Sequence, residues 1–261
     1  MSFQHLKAPF DRDGFVIVRQ LLPAADFAEL NRQLDRYIRE VVPGLPDTDA
    51  FYDADRSRPE TLRQLHRIDQ DPFFASYRNN PIWRSLAEAL VGEEVTALSP
   101  EWFNKPPLCA AGTPPHQDNY YFCLDPCNVL TIWMALDAVD DENACMRYVV
   151  GSHREGVRPH ARSNVLGFSQ GITDYGPLDA SREVAIHLKP GDVSVHHGNL
   201  IHLAGANRSA TRHRRAFAIV FQGASCRRDA DAFARYQASV KAQQDALAPR
   251  AAAGKESTQD A

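Results

Sequence analysis

No apolar run in this chain approaches the roughly 18 residues that a membrane-spanning helix needs, and the opening MSFQHLKAPFDRDG lacks a charged segment followed by an apolar stretch. A soluble, cytoplasmic protein with no membrane partner is therefore expected. A large excess of charge of either sign is also missing. Lys and Arg number 29 against 33 Asp and Glu, a formal net charge of -4, so no general field draws the chain to nucleic acid. Cysteine is sparse: Cys109, Cys123, Cys127, Cys145 and Cys226 are odd in number and scattered through 261 residues. That pattern fits reduced thiols in a chain long enough to fold without disulfides. Cys123 and Cys127 have no second close pair with which to build a zinc site.

What the chain does have is an ordinary globular composition, 44% apolar and 24% charged, enough to bury a substantial core. FDRDGFVIV reads as a polar turn leading into a strand. Pro23 then opens an amphipathic helix, with Phe27, Leu30, Leu34, Ile38 and Val41 at helical spacing. The stretch DTDAFYDADRSRPE reads as irregular and solvated, and the part near 47–58 is a potential lid. Residues 59–92 read as mostly helical, most clearly PIWRSLAEALVG, with proline at its start and glycine as its stop.

After about residue 95 the character changes. VTALSPEWF, NVLTIWMALDAV, CMRYVV, EVAIHL, DVSVHH and RAFAIVF are short β-rich runs punctuated by turn residues. No long helical patterns lie between them, so an antiparallel sandwich or barrel is expected rather than α/β units. The expected layout is one domain over 1–228, with a helical part over about 1–94 and a β core over about 95–228. Residues 229–261 are expected to form a C-terminal helix and a disordered tail.

The chemistry concentrates in PPHQDNYYF and VSVHHGNLIHLAG. On an extended strand His116 and Asp118 share a face, while Gln117 points away. His196, His197 and His202 lie about 80 residues later beside another strand. Antiparallel packing can make such strands neighbours, so two histidines and a carboxylate can take one face of an ion. That set leaves roughly half of an octahedral shell open, the arrangement of non-haem iron(II) oxygenases. Zinc suits the same ligands, and histidines hydrogen-bonded to backbone are the structural alternative. A 2-oxo acid cosubstrate has a distal carboxylate that favours a bidentate arginine. Arg214 and Arg215 begin the next strand, and alternation lets one of them face inward.

The order and spacing of DGFV, NKPP at 104–107, HQD at 116–118, NVLTIWMALDAVDDENACMRYVVGSHREG, KPGDVSVHHGNLIHLAGANRS and RRAF at 214–217 resemble the phytanoyl-CoA dioxygenase family of iron(II)- and 2-oxoglutarate-dependent oxygenases. The resemblance runs to about residue 221. It implies a double-stranded β-helix, or cupin-like jelly roll, with flanking N-terminal helices. The implied cofactors are Fe(2+), 2-oxoglutarate and O2, and the implied metal ligands are His116, Asp118 and His202. His197 then corresponds to a histidine that lines or buttresses the site. Arg214 is implied as the clamp on the distal carboxylate, bordered by Trp133, with Thr131 on the same strand face able to donate a hydroxyl and Asn104 at the edge. Tyr120, Tyr121 and Arg147 are expected to meet a small-molecule substrate, with no preference between monomer and homo-oligomer.

Asp118 stands where halogenating relatives carry a small residue, which points to hydroxylation. Ala204 departs from relatives with serine near the cosubstrate carboxylate. Two alternatives stay open: a cupin-like metal-binding isomerase or 2-oxoglutarate-independent dioxygenase, which has no use for Arg214, and a catalytically silent binding protein on the same fold.

Overall fold

A computed structural model describes residues 2–53, 56–165 and 168–241. Its core is two antiparallel sheets face to face, the double-stranded β-helix expected. The larger sheet has the order Phe15–Val18, Val193–His197, Val129–Ala135, Arg214–Gly223, Glu101–Lys105, Leu62–Leu65, Ala50–Tyr52, and Val95–Ala97 also pairs with Arg214–Gly223. The smaller sheet runs Glu183–Ile186, Met146–Val149, His202–Ala204, Thr113–His116.

Two helices cover the outer face of the larger sheet. Ala24–Glu40 buries Leu30, Leu34 and Tyr37, on the stripe its spacing predicts. Pro81–Val91 is started by the Asn80 side chain, which accepts from the Ile82 N–H at 2.9 Å, and ends at Gly92 in the left-handed region. Trp83, Leu86 and Leu90 from this helix join Leu130, Ile132, Met134, Phe217, Ile219 and Phe221 of the sheet in one buried cluster. Each such side chain contributes about 1.5–3 kcal/mol of transfer free energy.

Three expectations change. FDRD is the end of a helix, Lys7–Asp13, and not a turn; the chain reverses at Gly14, with φ 85°. A Cβ there would lie 2.5 Å from His153 Nδ1, so only glycine fits. The stretch expected to be irregular contains Ala50–Tyr52, paired with Leu62–Leu65 inside a region expected to be helical. Both strands are short, and the buried Arg63 and Gln64 hide the alternation that would have revealed the second. The segment is therefore partly sheet rather than a free lid, with 54–55 outside the described residues. A hairpin, His160–Val165 with Phe168–Ile172, adds a further pair of strands. Residues 230–241 are helical, and the tail expected to be disordered, 242–261, lies outside the described residues.

Candidate functional site

Register brings the first two candidate ligands together. His202 is the direct cross-strand partner of His116 on the smaller sheet, and their rings are 4.0 Å apart. Asp118 is not on the strand, contrary to the expectation from the two-residue period. The strand ends at His116, and Asp118 opens the short helix Asn119–Phe122, which swings its carboxylate back over both imidazoles. Gln117 points away and is pinned by donating to Gly156 O and Asn199 O at 2.8 and 2.7 Å. Asp118 Oδ1 then lies 3.8 Å from His116 Nε2 and 3.5 Å from His202 Nε2.

The orientation of each group is set by its other atoms. His116 Nδ1 meets Pro114 O at 2.8 Å and His202 Nδ1 meets Leu200 O at 3.0 Å. A carbonyl only accepts, so both Nδ1 atoms carry the proton and both Nε2 lone pairs face Asp118 Oδ1. Oδ2 is occupied differently: Thr131 Oγ1 donates to it at 2.7 Å and His196 Nε2 stands 3.2 Å away. His196 Nδ1 is 3.0 Å from Tyr148 Oη, itself 2.9 Å from Ser194 Oγ. With Nε2 donating to Asp118, Tyr148 donates to Nδ1 and Ser194 donates to Tyr148, so every member of the chain is satisfied.

Burial pulls His116 and His202 below the ordinary imidazole range. Burial also opposes ionisation of Asp118, yet His202, then His196 and His116, hold its carboxyl well below the usual carboxylate range. Three donor atoms, one each from His116, Asp118 and His202, lie within 4.8 Å of one another. Two donors bound side by side at about 2.1 Å from one ion would stand about 3 Å apart, so a small contraction completes a site.

A cavity of about 460 Å³ opens beside this group, the size of a small-molecule site. Part of its wall is cationic. Arg214 and Lys105 are direct partners across two strands and so share the inner face, while the next pair, Arg215 and Asn104, shares the outer one. Small Ala216 and Ala218 follow Arg214 on the inner face and leave it room. Arg214 is buried, its guanidinium carbon lies 5.3 Å from the Trp133 ring centre, and its Nε has no hydrogen-bond partner among the described residues. Burial, then Arg63, pulls Arg214 down to about 10, which leaves it cationic at neutral pH. Lys105 donates to Ala111 O at 2.7 Å. Burial, then Arg214 and Arg63, pulls its ammonium down to about 7.

Several positions depart from the sequence reading. Thr131 donates to Asp118 rather than toward Arg214. Asn104 borders the cavity, but its amide is spent on Leu62 O and His213, and Lys105 is the inward side chain. His196, not His197, lines the site; His197 packs against Phe10 and His153. Parity carried that signal, because Val193 and Val195 face the helices and so place His197 with them and His196 opposite. Tyr121 lines the cavity, whereas Tyr120 turns away to stack on His160 at 4.1 Å. Arg147 lies on the outer face of the smaller sheet, bonded to Glu183 and Asp141, because its neighbour Tyr148 takes the inner face beside His202.

Fold and site together define a jelly-roll protein with a candidate metal centre beside a cavity lined by two buried basic residues. The family model described as Phytanoyl-CoA dioxygenase (PhyH) matches residues 10–216, and the chain belongs to that family. It is 26% identical over 231 residues to "Phytanoyl-CoA dioxygenase, peroxisomal" of Homo sapiens, covering 83% of this chain and 67% of that one. Among solved structures it is similar to EvdO2 from Micromonospora carbonacea var. aurantiaca, at 28% identity and a TM-score of 0.68, covering 87% of this chain and 92% of that one. The epimerase SnoN from nogalamycin biosynthesis shares the fold at 23% identity and a TM-score of 0.66, covering 86% and 84% of the two chains. No helix among the described residues is long and apolar enough to cross a membrane.

Proposed function

We propose that this chain is an iron(II)- and 2-oxoglutarate-dependent dioxygenase that hydroxylates a C–H bond of a small organic molecule, with release of succinate and carbon dioxide. One observation carries the reading: the His116, Asp118 and His202 donors converge on a cavity whose wall also holds Arg214, buried and without a carboxylate partner among the described residues. Two neutral imidazole nitrogens and one carboxylate oxygen on one side of an ion suit iron(II) with open positions. EvdO2, in the same structural neighbourhood at 25% identity, is described as complexed with 2-oxoglutarate.

Iron(II), when bound, supplies the activation of dioxygen and the redox chemistry. The chain supplies placement. Backbone carbonyls of Pro114 and Leu200 fix both histidine tautomers. Thr131 and His196 hold Oδ2 of Asp118 so that Oδ1 alone faces the metal position. Arg214 and Lys105 take the distal carboxylate of 2-oxoglutarate, and Trp133 backs the Arg214 guanidinium. A cupin-like metalloprotein that uses no 2-oxo acid has no reason to bury an unpaired arginine, since desolvating that charge costs stability. The carboxylate at 118 favours hydroxylation over halogenation. A small-molecule substrate, no nucleic acid and a cytoplasmic setting with free thiols complete the reading.

Anaerobic titration of the apoprotein with iron(II) and 2-oxoglutarate tests it. A weak visible charge-transfer band is expected in the wild type, absent in His202→Ala and strongly reduced in Arg214→Ala. Bound iron without the band would sink the 2-oxoglutarate assignment. With a substrate in hand, a product carrying one oxygen atom from labelled dioxygen separates hydroxylation from the epimerisation that SnoN is named for.

A further inference from the structure

The substrate side of the cavity has a wall that the family's matched region does not supply. That match ends at residue 216, and the helix at 230–241 lies beyond it. The helix is firmly docked. Arg227–Arg228 pairs with Leu124–Asp125, the Asp229 N–H donates to Cys123 O at 2.8 Å, and Asp229 Oδ1 accepts from the Asp231 and Ala232 N–H groups at 3.0 Å. Arg228 lies 4.4 Å over the Phe233 ring. Three residues further on, Tyr236 reaches the cavity and meets Tyr121 edge-on at 5.9 Å.

Tyr121 is itself fixed, donating to Gln170 O at 3.0 Å, and its ring stands 6.3 Å from His116. Tyr236 therefore continues an aromatic wall that starts at the candidate metal centre. Phe51, Phe103 and Phe122 face the same space. All five rings are only partly buried, so their faces and edges are open to a guest. Charged groups that line the cavity outside the Arg214 and Lys105 pair are matched by partners: His66 Nδ1 meets Glu101 Oε1 at 2.7 Å, and Arg63 meets Asp53 at 2.7 Å. Arg235, the adjacent charge on the helix, lines a separate recess.

We infer that Tyr236 is a specificity-determining residue, and that the C-terminal helix closes the substrate pocket around a molecule with an uncharged, ring-bearing apolar body. Edge and face contacts with the rings favour a rigid planar or alicyclic guest over a flexible chain, which loses more freedom on binding. The inference rests on the oxygenase reading only for the identity of the neighbouring cosubstrate.

The test uses the full chain and two neutral probes, 2-naphthol and 1-octanol, with binding followed by calorimetry. The wild type is expected to bind 2-naphthol more tightly than 1-octanol. Tyr236→Ala should weaken 2-naphthol about fivefold, within what one aromatic contact supplies, while Tyr236→Phe retains it. Tyr236→Leu keeps apolar bulk without a ring and should resemble the alanine variant. Preference for 1-octanol in the wild type overturns the inference, as does unchanged 2-naphthol affinity in Tyr236→Ala or Tyr236→Leu. Parallel loss of 2-oxoglutarate affinity in Tyr236→Ala would make the residue structural and overturn it as well. A wild type that never binds 2-oxoglutarate yet shows the 2-naphthol pattern sinks the oxygenase reading and leaves the inference standing.

Discussion

The two faces of the strand Val129–Ala135 are equally hidden from water and differ in what they bury. Leu130, Ile132 and Met134 face the helices at 0% exposure, while Thr131 at 7% and Trp133 at 4% face the cavity. On the helix side these three side chains join one buried cluster of hydrophobic residues, and packing dominates the interaction. On the cavity side, Thr131, His196, Tyr148 and Ser194 satisfy one another around Asp118, and Arg214 is left with an aromatic ring instead of a carboxylate. Burial alone therefore does not distinguish scaffold from site. The distinction is whether a buried polar group points at another protein group or into space left for a ligand.

The largest effect that would separate the faces is Asp118→Ala. Loss of partners that merely support a ligand costs about 10–100-fold in metal affinity, so removal of the ligand itself should exceed that range and abolish hydroxylation. The metal-free chain should lose no more than about 1–3 kcal/mol, the cost of leaving Thr131 and His196 without their acceptor, because no helix-side contact is touched. Full turnover at equal iron loading would refute the assignment of Asp118 to the metal.

Next comes a pair of adjacent substitutions. Ile132→Ala should cost about 2–5 kcal/mol of stability, read from urea unfolding, with metal affinity of the folded protein unchanged. Thr131→Val keeps the volume and removes the donor to Asp118 Oδ2. Its stability loss should stay near 1 kcal/mol, and metal affinity should fall about tenfold. If Ile132→Ala weakens the metal as much as Thr131→Val does, the division of labour between the faces is wrong.

The sequence made this division legible wherever a strand was long and its apolar parity clean. NVLTIWMALDAV placed Thr131 and Trp133 on one face, and RRAFAIVF required one arginine in and one out, as the structure has it. Reading failed where local pattern does not encode the turn. Asp118 leaves the strand for a helical turn that no alternation announces. His196 and His197 differ by one position, so only the valines before them tell the faces apart. Arg147 looked inward as a charge in an apolar run, but its neighbours on either side, Met146 and Tyr148, already occupied the inner face. The strand around Arg63 was missed because its buried side chains are polar and serve the cavity.

Lys105 sharpens the comparison through pH. Its ammonium titrates near 7 in the folded chain against an ordinary 10.5. Between those values the unfolded state binds more protons, so this group makes the metal-free protein more stable as pH rises from 7 toward 10.5. A carboxylate placed beside it restores the charge. Binding of 2-oxoglutarate at pH 8 should therefore take up a proton, seen as a calorimetric heat that changes with the ionisation enthalpy of the buffer. Lys105→Met should remove that dependence; persistence of the uptake would mean that another group carries it.

The smallest effect tests the strand register directly. Arg215 is 39% exposed and holds Asp137 through bonds of 2.7 and 3.0 Å, a pairing worth about 1 kcal/mol or less. Arg215→Ala should lose no more stability than that and leave 2-oxoglutarate affinity within about twofold, since its charge lies across the sheet from the cavity. Arg214→Ala should do the reverse, losing the cosubstrate while keeping or raising the stability of the ligand-free chain, because a desolvated and unpaired charge has been removed. A one-residue slip of a strand exchanges all its faces. Swapped phenotypes for these two arginines would therefore place Arg215 and Asn104 in the pocket, and with them the opposite face of Arg214–Gly223.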